Sequence, residues 1–255
     1  MSFGINSRQL AEALQVQPVN MGVHASLGLK YMMDSVLPYV QPGDTVVLIP
    51  EYSQFFGSRA YGGAELLRMV LDVDRSGLRQ LTPRQWLNIL PELPKFTLSK
   101  LRPREYQAER SGDADVYGRD SFNQYGDAVA HWGLPPEKFA AYPPANETLN
   151  NAVFDDIRAF EAQVRARGGR LSITFPGLQD TSFDNLRDQI DLVEHQLRVA
   201  GFQVLGDPER YRIPGYLMFN TPYHLTQEGA NLRTALLIED LKPIGFAHVS
   251  EAPRP

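Results

Sequence analysis

Apolar residues recur along much of the chain with the three- and four-residue spacing of an amphipathic α-helix. Between residues 29 and 40 the apolar positions fall on one stripe: Leu29, Met32, Met33, Val36, Leu37 and Val40. Comparable stripes cover residues 148–167 and 183–200. Helices are also predicted at residues 64–71 and, after capping residues, at 7–14, 83–90 and 226–241. The pattern predicts helices at these places, each burying one face against a core.

Short apolar runs separate the predicted helices. Residues 45–49, Thr-Val-Val-Leu-Ile, follow a Pro-Gly-Asp turn and predict a buried strand. Further runs predict strands at residues 19–23, 170–175 and 202–205, and a short strand or extended segment at 216–219. The alternation of strand and helix is typical of a parallel α/β sheet. A doubly wound sheet normally opens with a strand, whereas a helix comes first here. We therefore expect either an unusual strand order or a further strand before Met1.

The regular pattern loosens between about residues 53 and 146, where prolines are frequent and residues 98–120 are charged and aperiodic. We expect a single domain over residues 1–255 with a helical or irregular excursion at 53–146. Within it the polar residues Arg119, Asn123, Asp127 and His131 recur at every fourth position. That spacing predicts one face of a helix, which either lines a sugar or ester pocket or forms a hydrated surface.

Composition excludes several classes of function. The formal charge of −5 disfavours a nucleic-acid partner, which requires a basic face. The absence of cysteine excludes a disulfide scaffold, a cysteine-bound zinc and a thiol nucleophile, and it is compatible with both cytoplasmic and extracytoplasmic locations. No apolar run is long enough to span a membrane. Phosphate-binding, dinucleotide-binding and HExxH motifs are absent, so we expect no cofactor.

The candidate chemistry lies at the ends of predicted strands. His224 occupies a loop between the last extended segment and the last helix, a common location for a general base. His24, Glu51 and Tyr52 follow strand ends, where open parallel sheets bind their ligands. A metal-dependent hydrolase that uses His24, Asp127, His131 and His224 is a weaker alternative.

Residues 220–229, Asn-Thr-Pro-Tyr-His-Leu-Thr-Gln-Glu-Gly, resemble the C-terminal Asp/His block of the SGNH (GDSL-like) hydrolase superfamily. Residues 19–22 are similar to the block whose glycine amide helps to form the oxyanion hole. Residues 43–52, and residues 122–127 with His131, resemble a bacterial SGNH-like subgroup. These blocks follow the family order and cover most of the chain. The resemblance implies a three-layer, flavodoxin-like SGNH-type α/β fold.

The resemblance also implies a function, that of a serine esterase or acyltransferase acting on an O-acyl ester, for example of a carbohydrate. His224 would be the general base, Asn220 or Thr221 would orient its imidazole, and the Gly22 amide would stabilise the oxyanion. The implied substrate-binding residues are Asn20, His24, Glu51, Tyr52, Arg119, Asn123, Asp127, His131 and Tyr223.

The chain departs from the family pattern at three places. The family's nucleophilic serine follows a glycine just before the first helix, whereas no glycine precedes Ser2. Asn220 and Thr221 stand where the family has its aspartate, and residues 50–53 replace the Gly-x-Asn-Asp block. The alternative is therefore a non-catalytic SGNH-like domain that binds carbohydrate or a protein partner.

Overall fold

A computed structural model describes residues 2–101 and 114–246, so residues 102–113 of the predicted aperiodic stretch lie outside the described part of the chain. The structure is mixed α/β. Its α-helices in the described ranges are α1 Ser7–Leu14, α2 Leu29–Val36, α3 Ala64–Arg68, α4 Pro83–Ile89, α5 Leu93–Lys100, α6 Ala114–Tyr117, α7 Asn151–Ala166, α8 Asp180–Asn185, α9 Arg187–Val199 and α10 Gln227–Leu241. Its strands are β1 Thr45–Leu48, β2 Arg170–Ile173, β3 Leu178–Gln179 and β4 Arg212–Ile213.

The strands are short and parallel, and they form two small two-stranded sheets. β1 pairs with β2, with Leu48 opposite Ile173. On the other side of β2, Val204 forms a single parallel bridge to Ile173, and the Leu205 N–H donates to the Ile173 carbonyl at 2.8 Å. β3 pairs with β4 in the second sheet. The runs predicted at residues 45–49, 170–175 and 202–205 thus lie side by side, although the last is one bridge rather than a strand.

Helices pack against both faces of β1 because its apolar side chains alternate between two cores. Val46 and Leu48 contact the larger core, which is formed largely by α2, α7 and α9. Val47, with Ile49 just beyond the strand, contacts a smaller core formed by α1 and α10. The buried stripes of α2, α7 and α9 are the ones that the sequence periodicity predicts.

Polar caps fix the starts of two long helices. The Asn150 side chain accepts from the Ala152 N–H ahead of α7, and Thr226 Oγ1 accepts from the Gly229 N–H ahead of α10. The helices predicted at residues 148–167 and 226–241 are therefore confirmed with small changes of boundary. The helix predicted at residues 183–200 is instead two helices, α8 and α9, which meet at Leu186.

The strand predicted at residues 19–23 is wrong. These residues form no strand, since Val19 and Val23 are exposed and the Asn20 N–H donates to the Tyr125 carbonyl of the excursion at 2.7 Å. The run at 216–219, predicted as a short strand or extended segment, begins in a 3₁₀ turn, Gly215–Leu217, and continues with an extended Met218 that forms an antiparallel bridge to Leu225. In both cases main-chain hydrogen bonds to a neighbouring loop replace pairing in a sheet.

The helix predicted through Arg119, Asn123, Asp127 and His131 is also wrong. Phe122 and Ala128 form an antiparallel bridge, and between them the Asn123 side-chain oxygen accepts from the N–H groups of Tyr125 and Asp127. Gly126 has a φ of 87°, and a Cβ at that position would collide with the Asn20 carbonyl. An asparagine that binds nearby main-chain N–H groups favours a turn over a helix, which explains the difference.

Candidate active site

His224 lies in a tight turn ahead of α10. The Thr221 hydroxyl oxygen accepts from the N–H groups of Tyr223 and His224, at 3.3 and 3.1 Å. The His224 carbonyl accepts from the Phe219 N–H at 2.7 Å, which ties the turn to the preceding segment. Thr221 therefore shapes the backbone of the loop. Asn220, rather than Thr221, contacts the imidazole.

The imidazole of His224 is oriented by a chain of two side chains. Asn220 donates through Nδ2 to the Tyr117 hydroxyl at 2.8 Å, which leaves Asn220 Oδ1 facing His224 Nδ1 at 2.9 Å. An amide oxygen accepts only, so His224 carries its proton on Nδ1 and its Nε2 has the free lone pair. Tyr117 Oη also lies 3.4 Å from His224 Nδ1. This is the tautomer that a general base acting through Nε2 requires.

Aromatic rings cover the imidazole. Phe3 stacks on His224 with ring centroids 4.1 Å apart and an interplanar angle of 16°. The Phe3 ring also contacts the rings of Tyr117 and His131, at centroid distances of 5.3 and 4.9 Å. His131 is fully buried, and its Nε2 donates to the Leu225 carbonyl at 2.8 Å. His131 therefore supports the loop that carries His224 and does not line an open pocket.

Burial keeps the imidazoles of His224 and His131 neutral. It lowers the pKa of His224 to about 4, and the neighbouring His131 and His24 contribute in the same direction. Burial also lowers the pKa of His131, although its bond to the Leu225 carbonyl opposes this effect. At neutral pH His224 therefore presents an uncharged imidazole with an available Nε2.

Three further predicted residues, Glu51, Tyr52 and Tyr223, lie where the end of β1 contacts the loop that carries His224. The N–H of Tyr52 donates to the Tyr223 hydroxyl oxygen at 3.2 Å. This bond brings the end of β1 against residues 219–225, which carry His224 and are called the histidine loop below. Tyr52 and Tyr223 are buried, while Glu51 is half-buried. Burial raises the pKa of the Glu51 carboxyl group. Glu51 is thus the predicted substrate-binding residue that brings an ionisable carboxyl group to this part of the site.

Asn20, Asn123 and Asp127 form a separate structural cluster. The buried Asp127 carboxylate accepts from the Ser7 N–H at 2.8 Å and the Ser7 hydroxyl at 2.7 Å. It also accepts from the side-chain amides of Asn20 and Asn123, at 2.9 and 3.3 Å. A negative charge at the start of α1 stabilises that helix. The two bonds from Ser7 join α1 to the excursion, the bond from Asn20 joins the segment after α1 to it, and the bond from Asn123 lies within the excursion.

The remaining predicted site residues are placed as follows. The Gly22 N–H donates to Asn20 Oδ1 at 3.1 Å, so its amide is engaged locally and is not directed at an oxyanion. His24 is exposed, and its Nδ1 accepts from the Ser26 N–H at 3.2 Å. Arg119 is exposed in a 3₁₀ turn. Across the described ranges, no group of three or more histidine, aspartate or glutamate side chains is arranged to hold a metal ion.

Three residues of the site were not predicted: Phe3, Tyr117 and Tyr142. Tyr142 lies beside Tyr223, with ring centroids 5.8 Å apart. Tyr117 reaches His224 from more than one hundred positions away in the sequence, out of the aperiodic part of the excursion. Phe3 precedes the first helix stripe. None of the three belongs to a motif, and their role depends on long-range packing that sequence spacing does not encode.

Comparison of the chain with protein-family models, with curated proteins and with solved structures finds no match. Among the described residues, no helix has both the length and the apolar character needed to cross a membrane. The candidate site therefore has to be interpreted from its own geometry.

We predict that Asp127→Asn destabilises the fold by about 2–3 kcal/mol, because an amide group would replace an oxygen that accepts two hydrogen bonds. Urea denaturation measures the effect. The matched control is Asp191→Asn, which removes an exposed carboxylate from α9 and should change stability by less than about 0.5 kcal/mol. Equal effects in the two variants would contradict the role given to Asp127.

We also predict that the fold loses stability as the pH falls from about 6.5 to 5, by up to about 1.4 kcal/mol per pH unit for each buried histidine. The unfolded chain takes up protons below pH 6.5, whereas the lowered pKa values of His131 and His224 keep the folded state from doing so. Urea denaturation at several pH values measures this slope. His224→Gln should reduce it, and His195→Gln, at an exposed position, should not.

Proposed function

We propose that the chain is an SGNH-like α/β domain of three-layer, flavodoxin-like type whose His224 acts as general base on an O-acyl ester, as in an esterase or acyltransferase. The fold part of the proposal is supported by the parallel contacts of β1, β2 and Val204 and by helices on both faces of β1. The histidine loop contacts Tyr52 beyond the carboxyl end of β1, where such sheets bind ligands.

One observation carries the catalytic part. Asn220 Oδ1 accepts from His224 Nδ1 at 2.9 Å and so leaves Nε2 unprotonated and free to take a proton. In the proposed reaction Nε2 removes the proton of an attacking hydroxyl group as its oxygen bonds to the ester carbonyl carbon. When the tetrahedral intermediate collapses, the C–O bond to the alcohol breaks and the alcohol leaves with the proton from Nε2. The acyl group then remains on the attacking oxygen.

The attacking hydroxyl group belongs to a serine or to water. Within the described ranges, no serine or threonine hydroxyl forms a hydrogen bond with His224 Nε2. Ser2 is buried, and its hydroxyl donates to the Val23 carbonyl at 3.4 Å. Ser2→Ala tests Ser2 as the source, because loss of activity assigns the attack to Ser2 and unchanged activity excludes it.

Non-catalytic binding of a carbohydrate or a protein partner is the second candidate function. It is favoured by Asn220, because an amide supplies no negative charge to stabilise the imidazolium ion that forms during catalysis. In the serine-protease triad, exchanging the corresponding aspartate for asparagine lowers kcat by about 10⁴. A protein that only binds its ligand would not use His224 to accelerate ester hydrolysis.

Hydrolysis of p-nitrophenyl acetate by the full chain tests the catalytic proposal. We expect His224→Ala to lower the rate by about 10²–10⁴. Asn220→Asp should raise the rate at least tenfold, because a carboxylate accepts from Nδ1 and stabilises the positive imidazolium. Asn220→Ala, which cannot accept a hydrogen bond, should lower it. Equal rates for the wild type and His224→Ala would leave binding as the function.

A further inference from the structure

The amide partner of His224 can be oriented in two ways, which an aspartate partner could not. Both oxygens of a carboxylate accept hydrogen bonds, whereas an amide accepts on one side and donates on the other. In the structure Asn220 Oδ1 accepts from His224 Nδ1 at 2.9 Å. After rotation by half a turn, the amide would donate from Nδ2 to Nδ1 and would require the proton on Nε2. The orientation of the Asn220 amide therefore decides whether Nε2 can act as a base.

The Tyr117 hydroxyl group contacts both partners of this hydrogen bond. Tyr117 ends α6, and its Oη accepts from Asn220 Nδ2 at 2.8 Å and lies 3.4 Å from His224 Nδ1. A phenol oxygen accepts hydrogen bonds through its lone pairs but has a single proton to donate. With the amide as observed, Oη can accept from both N–H groups at once. With the amide rotated, its proton would go to Asn220 Oδ1, and the contact with Nδ1 would be lost.

Packing of its ring holds the Tyr117 hydroxyl group in this place. The ring centroid of Tyr117 lies 5.3 Å from that of Phe3 and 5.9 Å from that of His224, although the residue is 40% exposed. Burial lowers the pKa of His224 to about 4, so the imidazole is neutral at physiological pH. Its chemistry then depends on which of its two nitrogens carries the single proton.

We propose that Tyr117 is a positioning residue that selects the Nδ1–H tautomer of His224 by holding the Asn220 amide in its observed orientation. Tyr117 acts through Asn220 and not on the substrate. The inference rests on the proposed function only for its catalytic consequence, because the tautomer is selected without a substrate. A carboxylate at position 220 would present an oxygen to Nδ1 in either orientation and would make Tyr117 dispensable in this role.

Nitrogen-15 NMR of the histidine side chains in the full chain tests the proposal, because the shifts of Nδ1 and Nε2 report which nitrogen carries the proton. The wild type should show His224 protonated on Nδ1, and the loss of its signal in His224→Gln assigns the resonance. Tyr117→Phe keeps the ring and removes the hydroxyl group, so that each amide orientation makes one hydrogen bond, to Nδ1. We expect this variant to shift the tautomer ratio toward Nε2–H by about 2- to 10-fold, which corresponds to one ordinary hydrogen bond.

Two controls are measured at a pH at which His224 is neutral. Tyr61→Phe removes another hydrogen-bonded hydroxyl group, which donates to Asp156 at 2.9 Å, and should leave the tautomer of His224 unchanged. In an Asn220→Asp background Tyr117→Phe should also leave it unchanged, since a carboxylate has no donor side. Protonation on Nε2 in the wild type, an unchanged ratio in Tyr117→Phe, or an equal shift in either control would overturn the proposal.

Hydrolysis of p-nitrophenyl acetate is recorded separately from the tautomer. Where hydrolysis depends on His224, kcat of Tyr117→Phe should fall in proportion to the remaining Nδ1–H population, with KM unchanged. Equal hydrolysis by the wild type and His224→Ala would refute the catalytic proposal alone, because the NMR measurement still supports or overturns the role of Tyr117.

Discussion

The candidate site depends on the main-chain pairing of residues 2 and 3 with two distant loops. The Phe3 carbonyl accepts from the Leu225 N–H at 3.1 Å, directly after His224, and the Ser2 carbonyl accepts from the Ala128 N–H at 2.9 Å. These bonds place the Phe3 ring on the imidazole and bring the excursion to the histidine loop. Without them the excursion would lose one of its links to the loop that carries the base.

That pairing also determines the electrostatics of the site. Phe3 replaces water on one face of His224, and the His131 ring also contacts Phe3. Because burial and the neighbouring histidines disfavour a positive charge, the pKa of His224 falls to about 4. An asparagine partner is consistent with such an environment, since it fixes the tautomer without attracting a second proton. Neutrality of the imidazole is thus built into both its packing and its hydrogen bonding.

The sequence predicts those parts of the fold in which one buried face repeats. The stripes of α2, α7 and α9 and the β-branched run of β1 are visible because each reflects burial along a regular element. The four-residue spacing of Asn123, Asp127 and His131 predicts a helix that does not form. Asn123 and Asp127 lie instead in a turn, in which the Asn123 side-chain oxygen accepts from the Asp127 N–H. Of the two residues expected to orient His224, Asn220 and Thr221, Asn220 contacts the imidazole, and the catalytic role given to this pair stays a prediction.

Tyr117 and Phe3 show why the rest of the site could not be predicted. Their contacts with His224 join positions that are far apart in the chain, and neither residue carries a motif. The structural role of Asp127 could not be predicted for the same reason. Its carboxylate resembles a site residue in the sequence, but its partner is the start of α1, more than one hundred residues earlier. Such pairings follow from the folded topology rather than from local spacing.

The surroundings of His224 all disfavour a positive charge on its imidazole. The Asp127 carboxylate is engaged at the start of α1, and Asn220, which contacts His224 Nδ1, is uncharged. Burial and the neighbouring histidines lower the pKa of His224. An aspartate at position 220 would instead favour protonation of the imidazole and raise this pKa. Burial and the amide partner thus act in the same direction, since both maintain a neutral base.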